Sequence, residues 1–164
     1  MLLFETTYKH SLVVIDGELW GCGSGDNPIF TKIDEQFDGS GIRSIKCNYV
    51  SSFSFVLTNA GNVFSNIYNR YLNFTQIDYL YDVKVIDTSG IFLVALSDNG
   101  LYLYVRQPGE EELSMPKNIS VDGAIILKIS FGYNYITILT DKGLWILDVC
   151  LHGESSIVNC INGT

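Results

Sequence analysis

The chain has 164 residues, enough for one domain or one run of repeats, and with 47% hydrophobic and only 17% charged residues it is not a disordered chain. Its formal charge is −8, from 10 basic and 18 acidic residues. No cluster of Lys and Arg follows a phosphate backbone, so neither direct nucleic-acid binding nor attraction to an anionic membrane is expected. No apolar run is long enough to span a bilayer, and the first residues lack the basic-then-apolar order of a secretory signal. Val, Ile, Thr, Tyr and Phe are common while helix-period patterns are few, which predicts an all-β protein.

In chain order, residues 2–4 read as a leading strand and residues 12–20 as a hairpin turning at Asp16-Gly17. Residues 21–28 are a glycine-rich loop containing Asp26 and Asn27. A phosphate cradle would need this loop to open a helix, and strand-like Ile29-Phe30 follows instead. A short Gly39-Ser40-Gly41 connector leads to a strand around Lys46 and to a second hairpin over 55–64. Residues 66–73 form a polar-aromatic loop with Tyr68 and Tyr71. A strand around Lys84 and a hairpin over 93–102 come next, then the loop 107–112, whose Glu110 and Glu111 stand in a run of three carboxylates. A strand around Lys128, a hairpin over 135–148 and a strand over 155–161 complete the chain. A terminal strand of that kind often completes the first blade of a closed propeller.

The hairpin glycines Gly17, Gly61, Gly100 and Gly143 are 44, 39 and 43 residues apart. A period near forty residues marks a propeller blade or a solenoid unit. Lys46, Lys84 and Lys128 stand 15 or 16 residues before their glycines, which suggests one shared position on a first strand. Segments such as 29–33, 73–77 and 113–119 would each supply a fourth strand. The expectation is a single repeat domain over 1–164, with units near 1–38, 39–81, 82–122 and 123–164. The alternative is an antiparallel sandwich whose tight hairpins merely look alike.

One stretch carries a family resemblance. His10-Ser11-Leu12 followed by Asp16-Gly17-Glu18-Leu19-Trp20-Gly21-Cys22-Gly23 resembles the regulator-of-chromosome-condensation repeat. That repeat runs roughly His-Ser-Leu-x-Leu-Thr-x-x-Gly-x-Val-Tyr-x-Trp-Gly. Its strand–turn–strand core persists at 57–64, 96–102 and 139–145. The resemblance implies a short array of about four β-propeller blades, a partial or small propeller. Two departures matter. The family's Gly-Gln-Leu-Gly tag is absent, and most members close seven blades. The member that exchanges nucleotide on a small GTPase uses a protruding wedge, and no insertion here could serve as one.

Four blades that do not close leave two apolar faces open. They could close on themselves, pair with a second copy, or be capped by a larger partner. The leading expectation is therefore a non-enzymatic protein-interaction module. Its candidate contact residues are Asp26, Asn27, Tyr68, Tyr71, Glu110 and Glu111. The acidic balance suits a partner with a basic face. The alternatives are regulation of a Ran-like small GTPase, implied by the resemblance, and sugar binding by Trp20, Phe64, Tyr102 and Trp145. Those four aromatics fit better between blades.

No catalytic, cofactor or metal site is expected. Cys22, Cys47, Cys150 and Cys160 form no Cys-x-x-Cys pair, and His10 and His152 are not spaced as metal partners. Cys47 reads as a small core residue, and His10 as a donor to a backbone carbonyl within its own blade. Reduced cysteines would suit the cytoplasm or nucleus.

Overall fold

A computed structural model describes residues 2–23, 27–33, 37–48, 53–66, 72–106, 113, 116–121, 123–132, 135–149 and 155–161. Of residues 27–28 and 155–161 the backbone alone is described. The described residues form sixteen strands in four antiparallel sheets of four. Blade 1 holds β1 (Leu3–Thr6), β2 (His10–Ile15), β3 (Glu18–Gly23) and β4 (Asn27–Lys32). Blade 2 holds β5 (Ile42–Cys47), β6 (Ser54–Thr58), β7 (Val63–Ser65) and β8 (Thr75–Gln76). Blade 3 holds β9 (Val83–Ser89), β10 (Phe92–Ser97), β11 (Gly100–Val105) and β12 (Lys117–Ile119). Blade 4 holds β13 (Ile126–Phe131), β14 (Tyr135–Thr140), β15 (Gly143–Val149) and β16 (Ser155–Ile161).

Each sheet is an up-and-down meander in sequence order. The first strand of each blade lies against the first strand of the next: β1 on β5, β5 on β9, β9 on β13. These four strands therefore run side by side along one axis. The last strand, β16, pairs with β15 and so completes its own sheet rather than the first one.

All four hairpin glycines lie at the turn between the second and third strands, but at two adjacent places. Asp16 and Gly17 both have positive φ, 53° and 86°, which makes the two-residue turn between Ile15 and Glu18 a type I′. Gly61, at φ 87°, closes a three-residue loop. Gly100 and Gly143 instead open the third strand, paired with Ser97 and Thr140.

The lysines are less regular than their spacing suggests. A bulge at the start of the first strand skips Arg43, Lys84 and Leu127 in blades 2 to 4. Counting from the hairpins, Lys46 shares its register place with Glu5, Asp87 and Ser130. Lys84 is itself a bulge residue, and Lys128 stands two places before Ser130. The mismatch between Lys46 and Lys128 arises after the bulge: Lys46 and its partner Phe55 are nine residues apart, whereas Ser130 and Thr137 are seven apart.

Burial follows from stacking. In the terminal blades the second strand alternates between buried and open side chains, as a sheet covered on one face must. In blade 2 all five residues of β6 are buried, and in blade 3 the first four of β10 are. Three apolar clusters fill the joints. Leu12, Val14 and Leu19 meet Ile42, Ile45, Val56 and Phe64 between blades 1 and 2. Phe55 and Leu57 meet Ile86, Leu93 and Ala95 between blades 2 and 3. Phe92, Val94 and Leu101 meet Ile129, Ile136 and Ile138 between blades 3 and 4. Among the described residues no cluster joins blade 4 to blade 1.

Candidate interaction surfaces

The stacking gives every blade a forward side, toward the next blade, and a rear side, toward the previous one. Among the described residues, the rear side of blade 1 and the forward side of blade 4 have no blade against them. Register-equivalent residues show the effect. Phe4 is 61% exposed, while Ile45, Ile86 and Ile129, at the same place in blades 2 to 4, are 3%, 1% and 6% exposed. On the other side, Tyr135 is 50% exposed against 2% for Phe92, and Leu139 is 42% exposed against 0% for Leu57.

The four aromatics after the hairpins also share one register place, opposite Val13, Val56, Ala95 and Ile138. Phe64 is buried in the first joint, and Tyr102 and Trp145 pack on the second and third clusters. Each plugs the rear side of its blade, an arrangement that does not present them as a row of sugar-stacking platforms. Trp20 holds the same place on the uncovered rear side of blade 1. Phe4, Val13, Ile15 and Trp20 thus form one apolar surface, and Tyr135, Leu139, Leu144 and Ile146 form another.

A polar seam runs across the axial strands. The Lys46 ammonium stands 3.3 Å from Asp87 Oδ1, and Asp87 Oδ2 accepts a 2.7 Å bond from the Phe131 backbone N–H. Blades 2, 3 and 4 are thereby tied through one carboxylate. At the same register place in blade 1, burial pushes the Glu5 carboxyl above its ordinary range; Lys46 opposes this and Asp87 adds to it.

His10 is the centre of a second tie. Its Nε2 lies 2.6 Å from Ser54 Oγ of blade 2, and its Nδ1 lies 3.3 Å from Thr7 Oγ1. The expected bond to a carbonyl of its own blade is replaced by a bond between blades, because β2 carries His10 into the joint. Ser54 Oγ is also 3.0 Å from Cys47 Sγ, and Ser54 N–H donates to Asn66 Oδ1 at 2.7 Å. Burial holds the His10 ring below its ordinary value, so it stays neutral near pH 7. A hydroxyl beside an imidazole suggests a nucleophile and its base. Ser54 is completely buried, however, and no substrate carbonyl reaches its Oγ in this arrangement. The cluster is a latch between blades.

Cys47 lies half-buried at the edge of this latch, and burial pushes its thiol up to about 12, the Ser54 bond opposing and Glu5 adding to the shift. The thiolate is the reactive form. In site-resolved alkylation at neutral pH, Cys47 of the folded protein should therefore stay unlabelled over a time that labels it fully in denaturant. Labelling at equal rates would refute this.

Asp26, Tyr68, Tyr71, Glu110 and Glu111 lie outside the described residues, and Asn27 is placed only as the first backbone position of β4, opposite Gly23. Among the described residues there is no group of three or more His, Cys, Asp or Glu side chains placed to hold a metal ion. The two apolar blade faces could have been suspected from the sequence only by counting blades.

No family model matches the chain. A curated relative, the RCC1 domain-containing protein RUG3, mitochondrial, of Arabidopsis thaliana, is 27% identical over 175 residues, covering 83% of this chain and 39% of its own length. Yeast RCC1 (Prp20), solved bound to Kap60, superposes with a TM-score of 0.70 at 16% identity, over 88% of this chain and 41% of that one. Human WBSCR16 superposes with a TM-score of 0.69 at 16% identity, over 90% of this chain and 48% of that one. The chain thus spans less than half the length of these proteins.

Proposed function

We propose that this RCC1-like array, a four-blade partial propeller, is a non-enzymatic protein-interaction module whose partner carries a basic face. The observation that carries the reading is the pair of uncovered blade sides, where Phe4, Tyr135 and Leu139 are exposed while Ile45, Phe92 and Leu57 at the same register places are buried. The net charge of −8 supports a basic partner, since opposite charge steers association. One neighbour in fold, solved twice, agrees with a binding role: yeast RCC1 (Prp20) was solved bound to Kap60 and was studied for its binding to Gsp1p and histones.

Titration of the purified full chain against histones and against a Ran-like GTPase tests the reading. Saturable binding to a basic protein is expected, weakening at about 0.5 M salt as screening shortens the reach of the charges. No saturable binding at low salt would overturn it. The same fold supports a second reading, nucleotide exchange on the GTPase, and faster release of labelled nucleotide would favour it over simple docking. We place the protein in the cytoplasm or nucleus. Imaging of the tagged full-length protein checks this, and a mitochondrial signal would align it with the plant relative instead.

A further inference from the structure

We propose that two copies of this chain join head to tail, the forward side of blade 4 of each seating on the rear side of blade 1 of the other, to close an eight-bladed ring. This rests on the interaction-module reading and names the occupant of its two open sides. Three observations lead there. First, the open sides are of opposite kind, one forward and one rear, and a forward side already meets a rear side three times within the chain. A fourth such joint repeats an interface this sequence makes. Second, end units of a repeat array that face water need a polar outer side. The end blades here keep apolar residues at the joint positions: Phe4 where Ile45, Ile86 and Ile129 stand, Trp20 where Phe64 stands, and Leu139 where Leu57 stands. In the ring, Trp20 would fill the place against Leu139 and Leu144 that Phe64 fills against Val14 and Leu19. Third, the array is a partial propeller that matches 41% to 48% of the length of its RCC1-like neighbours, which leaves a ring to be completed. Eight blades lie within the usual range of closed propellers.

A head-to-tail joint makes a prediction that a like-with-like joint does not. Phe4→Glu blocks only the rear side and Leu139→Glu only the forward side. Both positions are well exposed, so both variants should keep the wild-type circular dichroism; Phe4→Ser and Tyr135→Glu serve if either does not. By sedimentation equilibrium the full chain is expected at twice its 18.3 kDa. Each variant alone should dissociate, with a dissociation constant raised by roughly tenfold or more. A mixture of the two should recover a 1:1 pair through the one intact joint. Four outcomes would overturn the ring: loss of pairing in only one variant, pairing that survives both, assemblies larger than two, or a native polypeptide whose further blades fill both sides. A wild-type monomer that binds a basic protein through these residues overturns the ring alone. A wild-type monomer that binds nothing overturns the interaction reading as well.

Discussion

Leu57→Ala is expected to lower the unfolding free energy by about 2–5 kcal/mol, the cost of a cavity in a core that cannot fully collapse. Its counterpart Leu139→Ala should cost less than about 1 kcal/mol, because half of that side chain already meets water. The two leucines hold the same register place, opposite Val63 and Leu144 on their hairpins. Leu57 is sealed between blades 2 and 3, and Leu139 is on the uncovered side of blade 4. Urea titrations in a Phe4→Glu background, where pairing is blocked, compare them as single chains. In a protein of this length each kcal/mol should appear as a shift of about 2–4 °C in Tm. Equal losses at the two sites would mean that the side of blade 4 is covered within one chain.

His10→Ala should cost roughly 1–3 kcal/mol and also flatten the acid limb of the stability curve. The loss comes from leaving Ser54 Oγ buried without its imidazole partner. The pH effect has a definite sign. Burial lowers the ring's pKa in the folded state, so below the ordinary value of 6.5 the unfolded chain takes up the proton first. The His10 contribution is present above 6.5 and is lost as pH falls through the folded value. Two other groups act in different windows. Glu5, raised by burial, favours the fold at low pH and loses that contribution as pH rises through its folded value. At Asp38, burial pushes upward, but bonds from Ser40, Asn62 and Thr58 outweigh it and hold the carboxyl at about 2. Its contribution is present above 3.8 and fades toward 2. Chemical denaturation between pH 4.5 and 8 for wild type, His10→Ala and His10→Gln isolates the imidazole. A slope below pH 6.5 unchanged in both variants would show that the latch does not titrate with folding.

The hairpins were legible because a tight turn between apolar strands leaves a local signature, and the forty-residue period is the sum of such local events. Trp20, Phe64, Tyr102 and Trp145 could be matched as the first aromatic after each turn, although they stand three residues after Gly17 and Gly61 and two after Gly100 and Gly143. The lysines are out of step because the paired residues Lys46 and Phe55 are nine apart, whereas Asp87 and Val94, and Ser130 and Thr137, are seven apart, a difference in connection length that the distance to the glycine hides. The open sides were not legible in composition. Leu12-Val13-Val14-Ile15 and Leu93-Val94-Ala95-Leu96 are equally apolar, yet one strand is covered on one side and the other on both. Burial there is decided by the number of neighbours, a property of the array and not of the segment. His10 shows the same limit. Its bond to Ser54 spans 44 residues, and nothing near either residue announces the other.

Each apolar joint is made by blades consecutive in the chain. A growing polypeptide can therefore bury Leu12, Val14 and Leu19 against Val56 and Phe64 while β9 to β16 are still untranslated. Domains and repeats that mature in this order expose little sticky surface at any moment of synthesis. The surface around Phe4 and Trp20 belongs to none of these three joints, so the folding of these four blades leaves it uncovered.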